Sequence, residues 1–375
     1  MNSTASQIIH DGWEFQRFNT DSWHSATVPG CVHLDLFANN LIPDPFFGLN
    51  ESQLQWISNE SWTYRLVFQP SSKVLSKKNI EILFHGLDTY ADVYLNGINV
   101  ICANNMFHPW SAPIKNIVND GDNELLVQFR SPLNEVVEKM KSIDYVLPAD
   151  NDQAGKTSPH TRKAPYHYGW DWGPCLVTSG IWKGVELIGW DDWHVTHFQV
   201  SNKSVSKDNA ELKVELEVVA EIQETLKITL SELITGNEFK QAFKMKSGVN
   251  NLSFNISITN PQLWWPNGHG DQILHHFFLT VETDDQLEKR GRKIGIRDVT
   301  IKRAADQKGE SFEIFVNNIP IFSKGANWIP ADYFVERLQK EDYKRLLKDA
   351  IRANMNTLRI WGGGIYEPDH FYELC

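Results

Sequence analysis

Between Gly12 and about Trp190, apolar and polar residues alternate in short runs broken by turn residues. Trp62 to Phe68 (WTYRLVF), Ile80 to Gly86 (IEILFHG), Ala91 to Gly97 (ADVYLNG) and Asn123 to Phe129 (NELLVQF) place apolar side chains at every second position. That is the period at which a pleated strand turns one face to a core. Repeated at this spacing, it predicts an antiparallel sandwich or a jelly roll over residues 1–190. Asn96-Gly97 within YLNGINV marks a tight hairpin turn. Asp144 to Arg162 (DYVLPADNDQAGKTSPHTR) has no period and reads as a long loop, a length typical of functional or disordered segments.

Alternation resumes after Asp191 in HVTHFQV, AELKVELEVVAEI, TLKITLSEL, NLSFNISI and HHFFLTVET, a number of strands that suits an immunoglobulin-like sandwich over 191–301. Its aromatic stretch LWWPNGHG (Leu263 to Gly270) contains a Pro266-Asn267-Gly268 turn and reads as structural. Past Ile301 the pattern changes. FEIFVNNIPIF predicts a hairpin turning at Asn317-Asn318, and Leu338, Tyr343, Leu346, Leu347, Ala350 and Ile351 recur at helical spacing. The short strand TLRIW comes next, then three glycines, then a helix in EPDHFYELC with Pro368 in its first turn. Residues 302–375 therefore open an α/β arrangement with a parallel sheet.

Composition narrows the function classes. Thirty-six basic and forty-seven acidic residues give a net charge of -11, which repels phosphate backbones and excludes nucleic acid as the expected partner. No apolar run reaches the length of a membrane helix, so no membrane partner is expected. Fourteen tryptophans exceed what strand cores ordinarily use and suit stacking on sugar faces as well as filling a large core. Cys31, Cys102, Cys175 and Cys375 lack disulfide or metal spacing. The first residues lack a basic segment followed by an apolar one. Both features point to the cytoplasm. Sequons at Asn2, Asn50, Asn59, Asn202, Asn251 and Asn255 keep a lysosomal or secreted fate as the alternative.

Chemistry concentrates in GWDWGPC, Gly169 to Cys175, where Asp171 stands between Trp170 and Trp172. It reads in two ways: a core turn in which Asp171 caps backbone N–H groups while the indoles fill space, or a sugar site. WGGG, Trp361 to Gly364, lacks the spacing of a phosphate loop. Glycines straight after a strand allow a sharp turn and close approach of a ligand, and Trp361 there is equally a core or a ligand-facing residue. No HExxH or GxSxG motif occurs, and His160 and His167 read as solvated or hydrogen-bonding histidines. Glycoside hydrolysis needs only two facing carboxylates. Asp171, Glu367 and Asp369 qualify by location, with no spacing that marks a pair.

VPGCVHLDL (from Val28), HGLDTYADVYLNG (from His85), NNMFHPW (from Asn104), RKAPYHYGWDWGP (from Arg162), GIWKGVEL (from Gly180), KGANWIPAD (from Lys324) and NMNTLRIWGGGIYEPDHFYELC (from Asn354) together resemble a β-mannosidase of glycoside hydrolase family 2. The likeness spans nearly the whole chain. It implies a mainly β fold: a jelly roll, an immunoglobulin-like sandwich, then the incomplete start of a (β/α)8 catalytic barrel. It further implies that Trp170, Asp171 and Trp172 reach into the barrel pocket to contact a terminal mannose of a β-mannoside oligosaccharide, with Trp361 bordering the same sugar. It implies that the intact enzyme is a retaining exo-hydrolase that requires no metal or organic cofactor. Its acid/base and nucleophilic glutamates match no position in this chain, and a complete barrel needs about 250 residues.

Two functions are open: a glycosidase whose catalytic glutamates lie beyond Cys375, the chain alone being inactive, or a non-catalytic carbohydrate-binding protein built on the two sandwiches. A binding module would end after a sandwich strand, whereas this chain ends among barrel elements, which favours the first. Those elements are expected to expose Leu346, Leu347, Ile351, Leu358 and Ile360.

Overall fold

The computed structural model describes residues 4–375, and the Asn2 sequon lies outside them. Two antiparallel sheets enclose the first core. One runs in the order Ala5–Ile8, Val185–Trp190, Asn79–Phe84, Trp110–Pro113. The other runs His24–Ser25, Glu14–Arg17, Trp62–Phe68, Asn123–Phe129, Tyr90–Leu95, Ile98–Asn104. Alternation decides which faces meet: Ile80, Ile82 and Phe84 of the first sheet and Ala91, Val93 and Leu95 of the second are at most 1% exposed. Each such large apolar side chain contributes roughly 1.5–3 kcal/mol by leaving water. Asn96 and Gly97 turn with φ of 51° and 79°, the left-handed pair that matches strand twist.

Polar groups also lie inside this sandwich. Lys163 and Asp88 form an ion pair whose side chains are 0% and 1% exposed. The Thr178 hydroxyl accepts from Lys163 at 2.8 Å and donates to Asp88 at 2.7 Å. Burial pushes the Lys163 pKa down, against the opposing pull of Asp88. This pair ties the segment before the GWDWGP motif to the loop after Phe84.

Asp35, on the helix Val32–Ala38, is likewise buried. It accepts from the Tyr64 hydroxyl at 2.6 Å and the Thr27 N–H at 2.8 Å, and burial lifts its pKa to about 7. A carboxyl raised in the folded state adds stability below its unfolded pKa, and this is lost as pH rises through about 7. In Asp35→Asn the amide oxygen can accept from Thr27 N–H and the amide NH2 can donate to the Tyr64 oxygen, so both hydrogen bonds survive without the titration. The Tm of Asp35→Asn relative to wild type should therefore rise between pH 4 and 7 and level off above; a pH-independent gap would refute this.

The second core lies between the sheet Trp193–Val205, Asn209–Ala220, Gly248–Thr259 and the sheet Glu238–Lys244, Thr225–Glu232, His275–Glu282, Leu287–Ile294. Asn209–Ala220 alternates without a break, burying Ala210, Leu212, Val214, Leu216, Val218 and Ala220. LWWPNGHG joins this sandwich to residues beyond 301. Asn267 donates to the Met355 carbonyl at 2.9 Å, and Asn317 donates to the Trp264 carbonyl at 3.0 Å.

Val299–Lys302 crosses the expected boundary at residue 301 and pairs with Glu313–Val316, which turns at Asn317 and Asn318 (φ 49° and 65°) into Ile319–Ile321. Gly325–Trp328 and Thr357–Ile360 then form a parallel pair joined by the helix Lys340–Arg352, the βαβ unit expected of a barrel's start. Gln339 and Asp342 cap that helix reciprocally.

Two expectations need correction here. Leu347 is 6% exposed, and Leu358 and Ile360 pack half-buried around Tyr343 and Phe371, so among the five apolar residues expected at the surface only Ile351, at 52%, is exposed. The helices that succeed each strand cover them already. Pro368 stands at the N-cap of the helix Asp369–Leu374 with extended backbone, one position before the first turn.

Candidate functional site

Tyr168–Trp170 and Gly173–Cys175 form a separate two-stranded hairpin, paired at Tyr168↔Cys175 and Trp170↔Gly173, so Asp171 and Trp172 are its two turn residues. The base is anchored from three directions. Tyr168 and Cys175 are buried beside Val177, Gln153 N–H donates to the Tyr168 carbonyl at 2.8 Å, and the Glu51 carboxylate accepts from Cys175 N–H at 2.6 Å. Gly169, at φ 99°, adopts a backbone conformation that side chains disfavour, and a Cβ there would also crowd the Gln153 side chain at 3.0 Å.

At the tip, Asp171 is exposed, and neither of its oxygens accepts a hydrogen bond among the described residues. The capping reading therefore fails. A short carboxylate between two indoles, with every lone pair free, is suited to accept from an arriving ligand.

Trp361 comes from the far end of the chain to meet this turn. It succeeds the strand Thr357–Ile360, and its N–H bonds the Trp328 carbonyl at 2.9 Å. Its ring stands edge-on to Trp170 at 4.8 Å and 68° and to Trp172 at 5.7 Å and 80°. The three indoles are half-buried, and Trp172 and Trp361 also pack on the first core. These contacts show Trp361 packing against the core and the hairpin turn. The close approach that the glycines permit is made by Trp361 itself: a Cβ on Gly363 would fall 2.2 Å from its ring.

The other acidic candidates do not join this group. Glu367 is 6% exposed and accepts from Trp328 Nε1 at 2.8 Å within the cluster around Tyr343 and Phe371; burial raises its pKa. Asp369 lies 3.8 Å from Arg292 of the second sandwich. No acid and nucleophile pair forms around Asp171 among the described residues. His160 and His167 are buried, not solvated; His167 Nδ1 lies 3.4 Å from the Thr178 hydroxyl, and its pKa is driven down by burial and then by Lys163. No group of three potential metal ligands occurs among the described residues.

Two family models match, one described as glycosyl hydrolase 2 galactose-binding domain-like over residues 13–183 and one as glycosyl hydrolases family 2 over residues 193–297. The chain belongs to glycoside hydrolase family 2. Among family members, β-mannosidase B of Emericella nidulans is 34% identical over 100% of this chain and 45% of its own length. The β-mannosidase of Capra hircus is 32% identical over 99% and 44%. The crystal structure of β-D-mannosidase from Dictyoglomus thermophilum superposes with a TM-score of 0.94 at 40% identity, covering 99% of this chain and 46% of that one. An exo-chitosanase from Amycolatopsis orientalis shares the fold, with a TM-score of 0.77 at 21% identity. The chain thus spans under half the length of these family 2 relatives.

Sequence reasoning passed over the residues that hold the site in place. Tyr333 and Glu51 lie in segments without a period, and both act on backbone atoms of the hairpin, which no side-chain pattern reveals. Lys163 is part of the quoted RKAPYHYGWDWGP stretch, yet its burial depends on the path of the loop around it.

Proposed function

We propose that these residues form the sugar-gripping wall of a retaining β-mannosidase that releases non-reducing terminal β-D-mannose from oligosaccharides or glycoconjugates. One observation carries the reading: Trp170, Trp172 and Trp361 converge on a turn whose Asp171 carboxylate is free and exposed. Asp171 accepts hydrogen bonds from sugar hydroxyls, and the indoles border the apolar face of the ring. The identity to the Dictyoglomus thermophilum β-D-mannosidase supports mannose as the sugar.

The catalytic carboxylates lie outside residues 1–375. One glutamate attacks the anomeric carbon as the bond to the leaving oxygen breaks, and the other protonates that oxygen. The second then deprotonates water, which displaces the first, and the two carboxyls stand about 5–5.5 Å apart. No step calls for a metal or organic cofactor. The work is divided between units: the one up to residue 190 carries Asp171, and the one with the parallel strands carries Trp361 to meet it.

Four free thiols support a cytoplasmic setting. No helix is long and apolar enough to cross a membrane among the described residues. The exposed sequon residues Asn59, Asn202, Asn251 and Asn255 support the lysosomal or secreted alternative.

Purified residues 1–375 incubated with 4-nitrophenyl β-D-mannoside should release no nitrophenol. Turnover that copurifies with the chain and vanishes in Asp171→Ala would overturn the assignment of the catalytic groups.

A further inference from the structure

We infer that Tyr333 is a positioning residue for the site, clamping the Trp170-Asp171-Trp172 hairpin to the end of the first parallel strand; its effect on sugar binding rests on the function proposed above. Tyr333 comes shortly after Gly325–Trp328 but packs into the first sandwich's core rather than with its own unit, and is 7% exposed. Its hydroxyl accepts from Leu176 N–H at 3.1 Å. The single hydroxyl proton has the carbonyls of His167 and Leu176 within reach, each at 3.2 Å. His167 immediately precedes the hairpin and Leu176 immediately succeeds it, so one hydroxyl ties both of its ends.

The tie is reciprocal. Tyr166 donates its hydroxyl proton to the Tyr333 carbonyl at 3.0 Å, with the two rings edge-on at 5.2 Å. The Tyr333 ring lies alongside the second hairpin strand, where a Cβ on Gly173 would come within 3.6 Å of it.

Such a tie is needed here. A hairpin of two registered pairs is marginal by itself, and its turn must meet Trp361, which directly succeeds the neighbouring parallel strand Thr357–Ile360 and bonds the Trp328 carbonyl. The strand Gly325–Trp328 thus leads into the residues that carry the clamp, while its partner leads into the indole that the clamped turn meets. Without the hydroxyl, Leu176 N–H loses its acceptor in a buried place and the turn is free to leave Trp361.

Amide hydrogen exchange of residues 168–176 in wild type and Tyr333→Phe, with titration of both by methyl β-D-mannoside, tests the inference. The variant should exchange these amides at least tenfold faster while strands of the second sandwich keep their rates, and its affinity for the mannoside should fall about fivefold or more. Tyr166→Phe, which removes only the reciprocal bond, should move both readouts the same way by a smaller factor, and it serves if Tyr333→Phe does not fold. Unchanged exchange at 168–176 in both variants overturns the clamp. Faster exchange with unaltered mannoside affinity overturns the positioning role. Faster exchange in a chain whose wild type binds no mannoside supports the clamp and sinks the sugar reading instead.

Discussion

Lys163→Met is expected to lower the unfolding free energy by about 3–5 kcal/mol, the range for removing one partner of a buried ion pair. The loss arises less from the missing attraction than from what stays behind. Asp88 would be left in the core with only the hydroxyls of Thr89 and Thr178 as side-chain donors. Those two hydroxyls are too few to replace the lost ammonium for a buried carboxylate. Adding Asp88→Asn to Lys163→Met should recover at least half of the loss, because a buried pair replaced as a whole is often close to neutral. Guanidinium unfolding of wild type, single and double variants decides the matter. A cost below about 1 kcal/mol for Lys163→Met alone would mean that water reaches the pair.

The second large effect concerns function alone. In a protein that joins residues 1–375 to the catalytic carboxylates, Asp171→Ala should reduce kcat/KM for an aryl β-mannoside roughly ten- to hundredfold, the equivalent of losing hydrogen bonds to a charged acceptor. Asp171→Asn, which keeps one acceptor oxygen and loses the charge, should fall between. Neither should change Tm appreciably, since Asp171 accepts no hydrogen bond among the described residues. A capping residue would behave in the opposite way, with a lower Tm and unchanged kinetics.

How much of this was legible in the sequence depended on whether a residue's partners lie on a regular element. Strands that bury one face, such as Asn79–Phe84 and Asn209–Ala220, announced themselves through a period of two. Ala5–Ile8 and Glu14–Arg17 did not, because each has four residues and at most one fully buried side chain. Gly325–Trp328 was also hidden: GANW has no alternation, and none of its residues is fully buried.

The site was legible in a different way. Trp170, Asp171, Trp172 and Trp361 were singled out through motif and resemblance, but the edge-on meeting of Trp170 with Trp361 joins distant parts of the chain and leaves no trace in any local pattern. The supports were hidden altogether, because Tyr333 and Glu51 bond to main-chain atoms whose positions exist only once the loops are folded. Burial of His160 and His167 was missed for a related reason: a turn-rich stretch reads as exposed until its neighbours close over it.

The most direct test is to track the indole N–H resonances of residues 1–375 by NMR during titration with methyl β-D-mannoside. Trp170, Trp172 and Trp361 should shift together with a dissociation constant on the order of millimolar, about 4 kcal/mol of binding free energy, and Asp171→Ala should abolish the shifts. Shifts centred on other tryptophans, such as Trp264 in the second sandwich, or binding undiminished in Asp171→Ala, would contradict the assignment of the sugar site.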